Sequence, residues 1–130
     1  MVTVFPISLE PDAGDMMSGV IEIRGLLRIQ GSLIEIEYQT SADSIKFSPT
    51  QTISFDLEDV ARIDYRKGLF SSRLTFHTTS TKHFDSVPGA KGERLQIVFA
   101  RKHRHDAARV AWDLQKTVED RKLRHIIDNG

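Results

Sequence analysis

The stretch Phe99–Gln115, FARKHRHDAARVAWDLQ, is where the hydrophobic period of the chain changes. Up to Phe99 the period is two: in RLQIVFA, Leu95, Ile97 and Phe99 share one side, as in a half-buried strand. Beyond it, Ala107, Val110, Ala111, Leu114 and Val118 fall at the spacing of one helical face. Asp106 stands just before that run and is a suitable N-cap, its carboxylate able to accept from free amides of the first turn. The reading is a last strand, a basic corner and one amphipathic helix that begins near His105 or Asp106 and frays after about Leu123.

Upstream of the corner the period of two persists. In GVIEIRGLLRI, Ile21, Ile23, Leu27 and Ile29 alternate with Glu22, Arg24, Leu26 and Arg28, and Gly25 marks the place for a bulge or bend. Gln30-Gly31 turns the chain into SLIEIEYQ, where Ile34, Ile36 and Tyr38 alternate with Glu35 and Glu37, so the pair reads as a hairpin. An edge strand at Ile45–Phe47 and a strand carrying Ile53 and Phe55 follow. A second hairpin turns at Lys67-Gly68: Ala61, Ile63 and Tyr65 alternate with Arg62, Asp64 and Arg66, and Leu74 and Phe76 with Arg73, Thr75 and His77. A short strand at His83–Ser86 and the loop VPGAKGE lead to the last strand. The expected fold is mainly β, with about seven antiparallel strands joined by short turns and one C-terminal α-helix.

That element order resembles the pleckstrin-homology (PH) superfold, and is most similar to PH-like domains of bacteria. The resemblance rests on the strand series, the bent strand with Gly25 and Trp112 on the closing helix, and spans about Gly19 to Leu123. It implies a strongly bent antiparallel sandwich, or partly open barrel, capped by the helix. The domain is expected over 19–124, with an N-terminal extension at 1–18 and a tail at 125–130. Gln115 and Lys116 stand where eukaryotic members place apolar residues after the tryptophan, and Trp112 lies about 140° from the centre of the apolar stripe.

Composition bounds the function classes. The 130 residues suit one domain with its own core. No window approaches the length of a membrane span, and the N-terminus lacks the charge and apolar run of a secretory signal. Without cysteine there is no thiolate metal site, and the cytoplasm is the expected compartment. Formal net charge is zero, against a dedicated nucleic-acid binder. The charge is unevenly spread: residues 1–64 carry 11 acidic and 4 basic side chains, 65–130 carry 7 and 14, giving −7 and +7.

Two places are candidate sites. Arg62, Arg66, Lys67 and Arg73 share the wet face of the second hairpin with only Asp64 among them, a basic patch for an acidic protein surface, a second copy included. Lys102, His103, Arg104 and His105 surround the expected helix N-terminus, where free amides and cations favour an anion. His103 and His105 lack further ligands for a metal, and no metal or other cofactor is expected. The multiple cations that a phosphoinositide head group needs are missing around the Gln30-Gly31 hairpin, where Arg24 and Arg28 face Glu35 and Glu37. Weak attraction to an anionic membrane remains compatible with the basic half. GxSxG, HExxH, GxGxxG and GxxxxGK[ST] are all absent, and the chain is read as no enzyme. The expectation is a non-catalytic module for protein contact or self-association through charged patches; the alternative is a small-ligand or anionic-lipid-binding domain.

Overall fold

The computed structural model describes residues 2–79, 84, 87, 90 and 92–129. Its elements are β1 (Val2–Leu9), α1 (Ala13–Met17), β2 (Glu22–Gln30), β3 (Leu33–Ser41), β4 (Gln51–Asp56), β5 (Val60–Lys67), β6 (Ser71–Thr78), β7 (Arg94–Ala100) and α2 (Arg104–Asn129). The seven strands make one antiparallel sheet in the order β4-β3-β2-β1-β7-β6-β5. The sheet curls into a half-barrel, and the C-terminal helix against it completes a PH-like arrangement.

Alternation dictates which side of each strand is dry. Ile34, Ile36 and Tyr38 of β3, Leu74 and Phe76 of β6, and Leu95, Ile97 and Phe99 of β7 are buried. The helix adds Ala107, Val110, Ala111, Leu114 and Val118, the predicted stripe. Aromatic edges fill the interior: Phe55 meets Phe76 at 5.2 Å and Phe84 at 5.3 Å between ring centroids, and Phe5 meets Phe99 at 6.2 Å. Helix α2 lies chiefly along the edge strand β5. There the Gln115 side-chain amide donates to the Ile63 carbonyl at 2.9 Å and so satisfies part of an open sheet edge. Arg121 reaches Asp56 at the end of β4, 3.9 Å away.

Several expectations change. Residues 2–9, read as part of an N-terminal extension, form β1, paired with β2 along its whole length and with β7 at Ser8 and Val98. The strand with Gly25 is therefore the second, not the first. Gly25 makes no bulge, since the register of β2 runs unbroken against both neighbours. It permits close approach instead: a Cβ there would stand 2.2 Å from the Glu37 carbonyl oxygen. The irregularity lies between Val60 and Arg62 of β5. Ile21, expected in the core, is 51% exposed, because β2 begins only at Glu22.

Ile45–Phe47 form no strand. Asp43 captures this segment, its carboxylate accepting from the backbone amides of Ile45 and Lys46, both at 2.9 Å. Those bonds, that from Lys46 foremost, hold the Asp43 carboxyl below its ordinary range. The strand expected at His83–Ser86 lies outside the described residues but for Phe84, which is buried. The helix starts within a residue of the expected place, but its cap and its end differ. A 3₁₀ turn, Arg101–His103, runs straight into α2, which begins at Arg104. Asp106 is thus inside the first turn rather than at the cap, where it faces Arg109 at 3.3 Å. The helix continues through the expected tail to Asn129.

Candidate interaction surface

Because Ile63, Leu74, Phe76, Leu95 and Ile97 point inward, their neighbours on β5, β6 and β7 form the opposite, solvent-facing surface. Strand register sets those neighbours in rows. Arg62, His77 and Arg94 make the first, Asp64, Thr75 and Gln96 the second, and Arg66 stands opposite Arg73 in the third.

Asp64 organises the first two rows. Its carboxylate is 3.2 Å from the Arg62 guanidinium and 2.8 Å from His77 Nε2. The second contact requires a proton on Nε2, so the guanidinium, 3.4 Å from the same nitrogen, lies beside the ring without a hydrogen bond to it. Glu10, one residue beyond β1, pairs with Arg73. A groove of ≈ 330 Å³ runs between Glu10, Asp12, Asp64, His77, Arg94 and neighbouring residues.

Of the four predicted patch residues, Arg62 and Arg73 are therefore neutralised within the molecule. Arg66 and Lys67 have no salt bridge among the described residues. Arg66 and Arg73 form a wall common to two further grooves. One, of ≈ 510 Å³, is lined with hydrogen-bonding groups of Asp64, Tyr65, Thr75, Gln96 and Gln115. The Tyr65 hydroxyl and the Arg73 Nε are both buried and lack a partner among the described residues. The other groove, of ≈ 200 Å³, is completed by the turn between β5 and β6. At that turn Leu69 is 73% and Phe70 76% exposed.

Sequence reading missed Arg94, Glu10 and the apolar turn. Alternation in RLQIVFA already put Arg94 outward; what it lacked was the register that sets Arg94 beside His77. The Leu69-Phe70 pair follows the Lys67-Gly68 turn directly, where apolar residues carry no periodic signal.

The predicted anion corner spans the 3₁₀ turn and the first turn of α2. Lys102 and His105 are exposed, and His103 and Arg104 half-buried. His103 and His105 lie in helical backbone, where residues two apart diverge by about 200°, so the two imidazoles leave the chain in different directions. No group of three His, Cys, Asp or Glu among the described residues is placed to hold a metal ion.

Around the β2–β3 hairpin, Arg28 is 3.2 Å from Glu37, and the Arg24 guanidinium stacks 3.6 Å from the centroid of Phe47. The connection between the first and second strands, residues 10–21, holds Glu10, Asp12 and Asp15 and no lysine or arginine. No helix among the described residues is long and apolar enough to cross a membrane. Comparison of the chain with protein-family models, with curated proteins and with solved structures finds no match.

Proposed function

We propose that this chain is a non-catalytic, PH-like interaction module whose β5–β6 hairpin receives a protein segment combining acidic and apolar side chains. The observation that carries this reading is the direct opposition of Arg66 and Arg73 beside the exposed Leu69-Phe70 turn. Like charges directly across a strand pair cost stability, and Glu10 serves Arg73 alone, so Arg66 favours a partner that brings a carboxylate. The donor-rich groove suits those carboxylates, and the turn offers the large apolar contacts that dominate protein interfaces. The filled aromatic interior supports this reading over a ligand-holding barrel.

A second reading draws on the same turn: two exposed apolar side chains beside cations also suit the surface of an anionic membrane. One experiment separates the two. A photoreactive residue replaces Phe70 in the full chain, irradiated in cells of the source organism and, separately, with vesicles containing about 30% phosphatidylserine. The expected result is a defined protein adduct that disappears with Arg66→Glu. Adducts to lipid alone give the membrane reading precedence, and protein adducts indifferent to Arg66→Glu overturn the proposal.

A further inference from the structure

Helix α2 carries apolar side chains on two opposed faces. One is the stripe buried on the sheet. The other holds Trp112, Leu123, Ile126 and Ile127, which are 68%, 56%, 68% and 75% exposed. At 3.6 residues per turn these four fall within an arc of about 100°. Trp112 and Ile126 are about 21 Å apart along the axis. The sheet covers none of this face, and every side chain from Lys122 to Asp128 is exposed.

Scattered exposed apolar residues are ordinary, whereas four aligned along one helical face mark a contact surface. The charges between them indicate which partner. Lys116 follows Trp112 on this face, Glu119 is paired with Lys122 at 3.5 Å, and Asp120 stands at the edge of the face, so its sign changes from positive to negative near residue 118. A parallel copy of the helix would set Lys116 against Lys116 and Asp120 against Asp120. An antiparallel copy with a two-fold axis at residue 118 sets Lys116 of each chain against Asp120 of the other. The same register drops Trp112 between Leu123 and Ile127 of the second copy, on both sides of the axis. The surface is self-complementary in charge and in apolar content, as an isologous contact requires.

We infer that the outward face of α2 is a homodimer interface, formed by antiparallel pairing of the helices of two copies about residue 118. Trp112 fills the space between the partner's Leu123 and Ile127, and the two symmetric Lys116–Asp120 pairs fix direction and register. The contact spans four to five turns of helix, a small interface, so a reversible dimer in the micromolar range is expected. It uses a surface opposite to the one α2 turns toward β5, and does not depend on the β5–β6 hairpin.

Trp112 is the single tryptophan, so its emission reports the contact directly. Sedimentation equilibrium and fluorescence of the full chain over about 1–300 µM should show a monomer–dimer equilibrium accompanied by a blue shift. Ile126→Ser with Ile127→Ser should raise Kd at least about 10-fold while leaving the far-ultraviolet circular dichroism intact. Lys116→Asp and Asp120→Lys should each weaken the dimer, and the two together in one chain should restore it. Leu69→Ser with Phe70→Ser should leave the dimer unchanged, which separates this inference from the proposed hairpin site. A chain that stays monomeric throughout, a dimer indifferent to Ile126 and Ile127, or a double reversal no tighter than either single one overturns the proposal.

Discussion

The two long hairpins, β2–β3 and β5–β6, follow the same rule on their inner faces and opposite rules on their outer ones. Inside, Leu27, Ile34 and Ile36 of the first hairpin match Ile63, Leu74 and Phe76 of the second, all buried. Outside, register places Arg28 against Glu35 in the first, with Glu37 next on the same face, whereas in the second it places Arg66 against Arg73. In the first hairpin Arg28 lies within reach of both carboxylates. The second borrows Glu10 from the end of β1 for Arg73 and leaves Arg66 and Lys67 without a salt bridge among the described residues. Even the turns differ: Gly31-Ser32 is short and polar, while Gly68–Phe70 ends in two exposed apolar side chains. Inner faces of a curled sheet are constrained by packing, so they converge. Outer faces are free to record what the protein meets.

The inner equivalence predicts the largest effects. Phe76→Ala should cost about 3–5 kcal/mol and Leu27→Ala about 2–5 kcal/mol, each a large part of a small domain's stability. Chemical denaturation of both variants checks it; a tolerated change in either hairpin would show that hairpin to be peripheral to the core and break the comparison.

The outer contrast predicts smaller effects of opposite sign. Arg28→Glu brings a third carboxylate beside Glu35 and Glu37 and should destabilise by about 0.2–1 kcal/mol. Arg66→Glu puts an acid opposite Arg73 and should stabilise, toward the lower end of about 0.2–1 kcal/mol because Glu10 already serves Arg73. Denaturation midpoints at low ionic strength, with the difference shrinking as salt is added, measure both. Shifts of the same sign would mean that cross-strand register does not govern these charges.

Much of the fold was legible because packing imposes periodicity. The period of two gave the inner faces of β2, β3, β6 and β7, and the change at Phe99–Gln115 gave the helix and its buried stripe. β1 was missed although Phe5, Ile7 and Leu9 alternate, since Pro6 stands among them and proline argues against a ladder position. The structure accommodates it at the strand's centre, paired opposite Leu26. Asp106 was misplaced as a cap because it is the first good capping residue before the apolar stripe, and the preceding 3₁₀ turn leaves no periodic trace. The site was legible only in part. Outward direction follows from alternation, which sets Arg62, Arg66 and Arg73 on the face opposite the core. Which outward residues become neighbours depends on strand order and register, and a residue in Glu10's position is linked to Arg73 only by the fold. The outer face of α2 is equally hidden, because its apolar residues are widely spaced and interrupted by Lys116, Glu119 and Asp120.

The smallest expected effect is also the most informative about the turn. Phe70 and Phe76 are six residues apart on one hairpin, the first 76% exposed and the second fully buried. If Phe70 and Leu69 serve an outside partner, their own domain gains nothing from them. The shape of the turn supports this, since it is set elsewhere: Gly68 donates its amide to the Ser71 carbonyl at 2.9 Å, and a Cβ on Gly68 would come within 2.5 Å of that oxygen. Leu69→Ser with Phe70→Ser should therefore change the stability of the isolated protein by no more than about 0.5 kcal/mol, with the slope of the denaturation curve unaltered. A Gly68→Val variant should be clearly worse, because it forces a backbone shift at a position with no room for a side chain. Should the double serine variant cost more than about 1 kcal/mol instead, the turn would be folding back on its own domain. The second hairpin would then be as self-sufficient as the first, and Arg66 and Lys67 would lose the apolar neighbour that makes them a site.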